Sequence, residues 1–183
     1  IFKKDLIKKI NQFNCVVISD YNKGVCSKSL IQDTIYEANK YGIPVLVDPK
    51  GTNWDKYMNA TALTPNKKEV EDQLNLKLKN DSDFENAAKQ IKEKFKLEFC
   101  LITRGADGMT FYGENNVIHQ KVGKKEVFDV SGAGDTVIAC LAASLTSGIT
   151  MEDSIQVSSF ISSEVVTHTG TVPFDIKRFM LNG

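Results

Sequence analysis

Residues 129–135 read Asp-Val-Ser-Gly-Ala-Gly-Asp, and they run directly into Thr-Val-Ile-Ala-Cys-Leu-Ala-Ala-Ser-Leu at 136–145. The pattern predicts a strand that stops at an acid, then a glycine turn, then an apolar helix. Glycines let a backbone approach a ligand closely because they carry no Cβ. The N–H groups of Gly132, Ala133 and Gly134 would lie at the first turn of this helix, where unpaired donors and the helix dipole favour an anion.

Asp135 stands next to this predicted anion site. A carboxylate is expected beside an anion when it has a proton to remove, as in the transfer of a phosphoryl group to a hydroxyl. The alternative is that Asp135 is only the N-cap of the helix. We favour the catalytic interpretation, in which Asp135 is the base and the three amides stabilise the transferring group.

The composition is that of a globular domain with a substantial core: 183 residues, 42% hydrophobic and 25% charged. The 23 basic and 23 acidic residues cancel, so we expect no nucleic-acid partner and no anionic membrane surface. No apolar run is long enough to span a bilayer. The four cysteines are scattered and only two histidines are present, which argues against a zinc site and indicates a reducing, cytoplasmic location.

Short apolar segments alternate with amphipathic ones along the chain. We predict strands at 15–20, 44–48, 61–64, 99–103 and 126–128, a hairpin at 109–112 and 116–120, and helices at 3–14, 27–42, 66–74, 81–95, 133–147 and 151–166, with a short helix after Pro173. Apolar strands too short to alternate are typical of a parallel sheet that is covered on both faces. The expected fold is therefore α/β, with three layers (α/β/α) and a mainly parallel sheet.

Acids and glycines follow the predicted strands, at Asp20, Asp48, 64–66, 103–105 and 129–135. Ligands of open α/β sheets bind beyond the carboxyl ends of the strands. One cleft could therefore gather all of these residues.

Asn66 and Glu69 lie three positions apart at the start of a predicted helix, so they share one face. Amide and carboxylate oxygens suit Mg²⁺, which keeps part of its water shell. The same spacing is that of a capping box, which is the better interpretation of this pair alone. In the company of Asp135, metal binding becomes the better interpretation.

Two further groups could contact a nucleotide or a sugar. Thr103, Gly105 and Gly108 offer a hydroxyl and close backbone approach, although a plain turn would need no function. Lys23 and Lys50 each follow a strand and an acid, and either could bind a phosphate or a sugar. Ordinary turn chemistry is the alternative for both loops.

Residues 129–135 resemble the second signature of the ribokinase-like carbohydrate kinases, the phosphofructokinase B family, usually Asp-Thr-x-Gly-Ala-Gly-Asp. Ser131 replaces the usual Thr and keeps the hydroxyl. Residues 66–69 and 103–108 are similar to the family's Asn-x-x-Glu and Thr-x-Gly-x-x-Gly stretches. The resemblance implies ATP and Mg²⁺ as cofactors, and a monovalent cation such as K⁺ held by Asp129 and the loop at 165–173.

The segments 19–25, 45–52 and 62–69 are similar to the kinase modules of the bacterial ADP-heptose synthesis proteins. The resemblance implies ATP-dependent phosphorylation of D-glycero-β-D-manno-heptose 7-phosphate at O1, which feeds lipopolysaccharide synthesis. Another ribokinase-like sugar or nucleoside kinase, and a nucleotide-binding fragment without catalysis, are the alternatives.

The family's N-terminal sugar-binding portion, its β-lid and a nucleotidyltransferase module have no counterpart in this sequence. We therefore expect residues 1–183 to be the C-terminal, nucleotide-binding part of a ribokinase-like kinase domain. The expected partners are a sugar phosphate, a nucleotidyltransferase module in the full-length protein and a second copy in a homodimer.

Overall fold

In the part of the chain that the structure describes, six strands form one sheet in chain order. The computed structural model describes residues 2–122, 131–167 and 170. The strands are β1 (Val16–Ser19), β2 (Val45–Asp48), β3 (Ala62–Leu63), β4 (Phe99–Thr103), β5 (Met109–Tyr112) and β6 (Val117–Gln120). β1 to β4 are parallel, whereas β5 and β6 form an antiparallel hairpin at one edge of the sheet.

Helices cover both faces of this sheet. They are α1 (Phe2–Lys9), α2 (Lys28–Lys40), α3 (Lys67–Leu74), α4 (Asp81–Phe95), α5 (Ala133–Ser147) and α6 (Met151–Val165), with short 3₁₀ helices at Ile10–Gln12, Trp54–Tyr57 and Gly105–Asp107. Adjacent residues of a strand point to opposite faces. In β2, Val45 and Val47 join the core that α2 and α4 cover, while Leu46 joins the core that α5 and α6 cover. The predicted three-layer α/β/α fold is confirmed.

Three details of the prediction need correction or completion. Asp81, which the sequence suggests as the cap of the helix at 81–95, is not the N-cap of α4. The N-cap is Asn80, whose side chain accepts from the N–H of Asp83 in a capping box. His119, for which the sequence suggests no partner, lies 3.1 Å from the Thr110 hydroxyl through its Nδ1. The predicted strand at 126–128 and the helix after Pro173 lie outside the described residues. Of the helices in the described ranges, none has the length and apolarity needed to cross a membrane.

Candidate active site

A cavity of about 930 Å³ opens at the carboxyl ends of the parallel strands. Nine of the predicted site residues line it: Lys50, Asn66, Thr103, Gly105, Gly108, Gly132, Ala133, Gly134 and Asp135. Glu69 lies behind Lys50 and hydrogen-bonds to it. Asp129, predicted to bind a cation, lies outside the described residues. The fold therefore brings most of the predicted site to one cleft.

The start of α5 forms one wall of this cavity. Gly132 is the N-cap, in the left-handed region at φ 80°, and as a glycine it has no side chain to cap the helix. The first bond of the helix runs from the N–H of Thr136 to the carbonyl of Gly132, at 2.9 Å. The N–H groups before Thr136 thus precede the helical ladder and are suited to an anion. A Cβ built on Gly134 would meet no atom within 4 Å, so a ligand has room to approach.

Asp135 is the third residue of α5, so the interpretation of its side chain as the N-cap is wrong. One carboxylate oxygen accepts a hydrogen bond from Ser19 Oγ at 3.2 Å, and the other accepts from Tyr21 Oη at 2.9 Å. The hydrogen bond to Asp135 raises the pKa of Tyr21, which therefore stays a protonated donor at neutral pH. Sequence reasoning missed both hydroxyls, although they flank Asp20, which it had placed at a strand end.

Asp48, Lys50 and Glu69 form a charged group along the cavity. The Lys50 ammonium lies 2.5 Å from Glu69 Oε1 and 3.5 Å from Asp48 Oδ2. Burial raises the pKa of Asp48 to about 6. The positive charge of Lys50 opposes this shift, and the negative charges of Glu69 and Asp135 add to it. Burial lowers the pKa of Lys50, but the hydrogen bond to Glu69 and the charge of Asp48 outweigh it and leave that pKa raised. Lys50 is therefore a stable cation at the cavity wall.

Asn66 and Glu69 form the capping box that their spacing allows. Asn66 Oδ1 accepts from the N–H of Glu69 at 3.0 Å, and Glu69 Oε2 accepts from the N–H of Asn66 at 2.8 Å. Both carboxylate oxygens of Glu69 thus already have donors, Lys50 being the second. Within the described ranges, no group of three or more His, Cys, Asp or Glu side chains could hold a metal ion. These contacts fit a hydrated metal held through water, and not one that displaces Lys50.

In the turn after β4, Gly108 is required by the structure itself. A Cβ on Gly108 would lie 1.9 Å from the carbonyl oxygen of Gln120, so only glycine allows this approach to the hairpin. Gly105 has φ 63° and open space around its Cβ position. Thr103 donates its N–H to the carbonyl of Pro65 at 2.9 Å, which joins this turn to the loop that carries Asn66.

Asp20 does not join the cleft, contrary to the expectation from its place at a strand end. It is 1% exposed, and its carboxylate accepts from Lys56 Nζ at 2.5 Å, Tyr57 Oη at 2.7 Å and the N–H of Asn22 at 2.7 Å. Its role is to hold the loop after β1 against the 3₁₀ helix at Trp54–Tyr57.

The family model described as "pfkB family carbohydrate kinase" matches residues 2–177. The chain belongs to the pfkB family. Among curated pfkB relatives, it is 42% identical over 160 residues to the "Bifunctional protein HldE" of Methylobacillus flagellatus, a match that covers 87% of this chain and 33% of the relative. The chain thus spans about a third of that relative's length.

Two solved structures show the same fold as this chain. Escherichia coli phosphofructokinase-2 in complex with potassium superposes with a TM-score of 0.80 at 22% identity, over 92% of this chain and 57% of that protein. Arabidopsis thaliana ribokinase complexed with ribose and ATP superposes with a TM-score of 0.80 at 20% identity, over 91% of this chain and 54% of that protein. At these identities the likeness concerns the fold.

Proposed function

We propose that this chain is the nucleotide-binding part of a kinase that transfers a phosphoryl group from ATP to O1 of D-glycero-β-D-manno-heptose 7-phosphate. One observation carries the proposal: the carboxylate of Asp135 and the first-turn amides of α5 line the same cavity. An anion-binding helix end beside an acceptor for a proton is the arrangement that phosphoryl transfer to a hydroxyl requires.

In this mechanism Asp135 accepts the proton of the sugar hydroxyl while that oxygen attacks the terminal phosphorus of ATP. The bond from this phosphorus to the oxygen that bridges it to ADP breaks, and ADP leaves. The N–H groups of Gly132, Ala133 and Gly134 bind the charge that spreads over the transferring phosphoryl oxygens. Lys50, which also lines the cavity, contributes a positive charge to the phosphates. Thr103, Gly105 and Gly108 border the nucleotide.

Two metal ions are part of the proposal. Asn66 and Glu69 would hold Mg²⁺ through its water shell, and the ion would neutralise charge on the ATP phosphates. A monovalent cation such as K⁺ would be bound at Asp129. Potassium is present in the phosphofructokinase-2 complex that shares this fold.

The heptose phosphate is proposed from the relatives and from three segments of the sequence. The HldE relatives are about 40% identical to this chain, with values of 42% and 44% for two of them. Residues 19–25, 45–52 and 62–69 are those that resemble the kinase modules of ADP-heptose synthesis proteins. The match covers 33% of each of these two relatives, which supports our proposal that the complete protein also carries a nucleotidyltransferase module. We further propose that the protein acts in the cytoplasm, since its four cysteines are scattered, and that it forms homodimers.

ADP release tests the proposal. The protein is incubated with ATP, Mg²⁺ and K⁺, with heptose 7-phosphate, with a hexose phosphate, with a nucleoside, or with no acceptor. We expect release that depends on heptose 7-phosphate. Preference for a hexose phosphate or a nucleoside would assign the chain to another branch of the family. ATP binding by calorimetry without release in any mixture would make residues 1–183 a nucleotide-binding fragment whose chemistry needs more of the protein.

A further inference from the structure

We propose that Ser19 and Tyr21 are positioning residues for Asp135, each hydroxyl holding one oxygen of its carboxylate in the cavity. The proposal rests on the proposed function in one respect, that Asp135 is the base. The contacts themselves join the end of β1 to the start of α5, across 116 and 114 positions of the sequence.

Asp135 needs such partners because its own surroundings do not fix it. It is an exposed residue in the first turn of α5, and its neighbour Gly134 has no side chain to pack against it. An exposed carboxylate samples several rotamers, and a general base must stand within hydrogen-bond reach of the proton it accepts. Two donors on two different oxygens define both the position and the plane of the carboxylate.

The hydroxyls are themselves held in place by the residue between them. Asp20 points away from the cavity into its buried contacts with Lys56 and Tyr57, so Ser19 and Tyr21 on either side are directed towards Asp135. The N–H of Asp20 also donates to the carbonyl of Asp48 at 3.1 Å. The buried anchor explains how the ring of Tyr21, which is 59% exposed, can present its hydroxyl at a defined place.

The charges around this contact favour a neutral, donating phenol. The hydrogen bond to Asp135 is the main cause that raises the pKa of Tyr21, and the charges of Asp135 and Asp48 add to it. A hydrogen bond with Ser19 lowers this pKa, but the net direction is upward. The Lys50 ammonium, which would favour the phenolate, is paired with Asp48 and Glu69. Each carboxylate oxygen keeps a second lone pair for the sugar hydroxyl, so neither donor has to leave when the substrate binds.

Kinetics of the protein provide the first test. Tyr21→Phe removes one donor and keeps the ring. We expect kcat to fall roughly three- to tenfold, the net value of one typical intramolecular hydrogen bond, with the KM for ATP unchanged. Ser19→Ala should lower kcat in the same way, and less, because its bond is longer. Tyr41→Phe is the matched control, since Tyr41 is also exposed, at 54%, and lies far from the cavity.

A structural role alone would not make the effect of Tyr21 depend on Asp135. We expect Tyr21→Phe to cause no further loss in an Asp135→Asn background, since the base through which Tyr21 acts is gone. Wild-type kcat for Tyr21→Phe, or an equal loss in both backgrounds, would overturn the proposal.

A titration that needs no activity provides the second test. Tyrosine labelled with ¹³C at Cζ reports the pKa of each phenol by NMR, and Tyr21→Phe assigns the signal. We expect Asp135→Asn to lower the pKa of Tyr21 towards its ordinary value, because the charged acceptor is removed. An unchanged Tyr21 titration would contradict the contact. If the titration shifts but ADP release depends on a hexose phosphate or a nucleoside and not on heptose 7-phosphate, the contact stands and the proposed function fails.

Discussion

The loop after β1 and the loop after β2 have nearly the same sequence pattern and different fates. Asp20-Tyr-Asn-Lys-Gly24 and Asp48-Pro-Lys-Gly51 each follow a short apolar strand, and each places a lysine two or three residues after an acid. The acid of the second loop, Asp48, lines the cavity and pairs with Lys50 of the same loop at 3.5 Å. The acid of the first loop is buried against Lys56, a residue from outside its loop.

The difference arises from what lies opposite each strand end. The 3₁₀ helix at Trp54–Tyr57 brings one ammonium and one phenol to Asp20, and their hydrogen bonds outweigh the cost of burial, so the pKa of Asp20 is lowered. Among the described residues, the ion-pair partner of Asp48 is Lys50, which it shares with Glu69, and burial raises the pKa of Asp48 to about 6. Identical strand-end acids thus become a structural anchor and a cavity group, according to how many donors the tertiary structure supplies.

The largest effect is expected for Asp20. Asp20→Asn leaves the Lys56 ammonium, 12% exposed, without its carboxylate, and we expect the free energy of unfolding to fall by about 3–5 kcal/mol. Urea unfolding measures the change. Asp72→Asn is the control, because Asp72 is 53% exposed and pairs with Lys68 at the surface, where an ion pair contributes at most about 1 kcal/mol. Equal losses for the two variants would remove the distinction between an anchor and an ordinary surface acid.

Replacing Asp48 should change the free energy of unfolding less than replacing Asp20, and with the opposite dependence on pH. Its folded-state pKa of about 6 lies above the ordinary 3.8, so its contribution to stability is full below about pH 4 and is lost as the pH rises through 6. The free energy of unfolding should be measured at pH 4 and at pH 7. Between these values, that of Asp48→Asn should rise relative to that of the wild type by about 1–3 kcal/mol. For Asp20, whose pKa is lowered, stability is lost instead as the pH falls through its folded-state pKa. A constant difference between Asp48→Asn and wild type from pH 4 to 7 would contradict this account.

Lys50 and Lys23, the lysines of the two loops, should differ in their contribution to ATP binding. Lys50 lines the cavity as a paired cation, whereas Lys23 is exposed and is not among the residues that line it. Lys50→Met should weaken ATP binding about tenfold, and Lys23→Met should leave it within about twofold. Calorimetry with ATP and Mg²⁺ measures both. Equal losses of ATP affinity for the two variants would mean that the two loops contribute equally to ATP binding, contrary to this account.

Much of this molecule could be predicted from its sequence, because the relevant signals are local. Apolar runs marked the strands, and the glycine turn at 131–134 marked the start of α5 beside Asp135. The rule that ligands bind at the carboxyl ends of parallel strands placed most of the site in one cleft.

What could not be predicted depends on pairs that are distant in the chain. Nothing in the sequence near Ser19 indicates that its hydroxyl meets Asp135, 116 positions away. The direction of Asp20 depends on Lys56 and Tyr57, which no spacing rule connects to it. The pattern of Asn66 and Glu69 allowed two interpretations, and the capping box is present in the structure while metal binding stays a proposal.

The most direct measurement of the central claim compares turnover and nucleotide binding in wild type and in Asp135→Asn. If Asp135 is the base at the anion-binding start of α5, kcat for sugar-dependent ADP release should fall about 10²–10⁴-fold, while the Kd for ATP stays within about twofold of wild type. Turnover near the wild-type value would contradict the account and remove Asp135 from the transfer step.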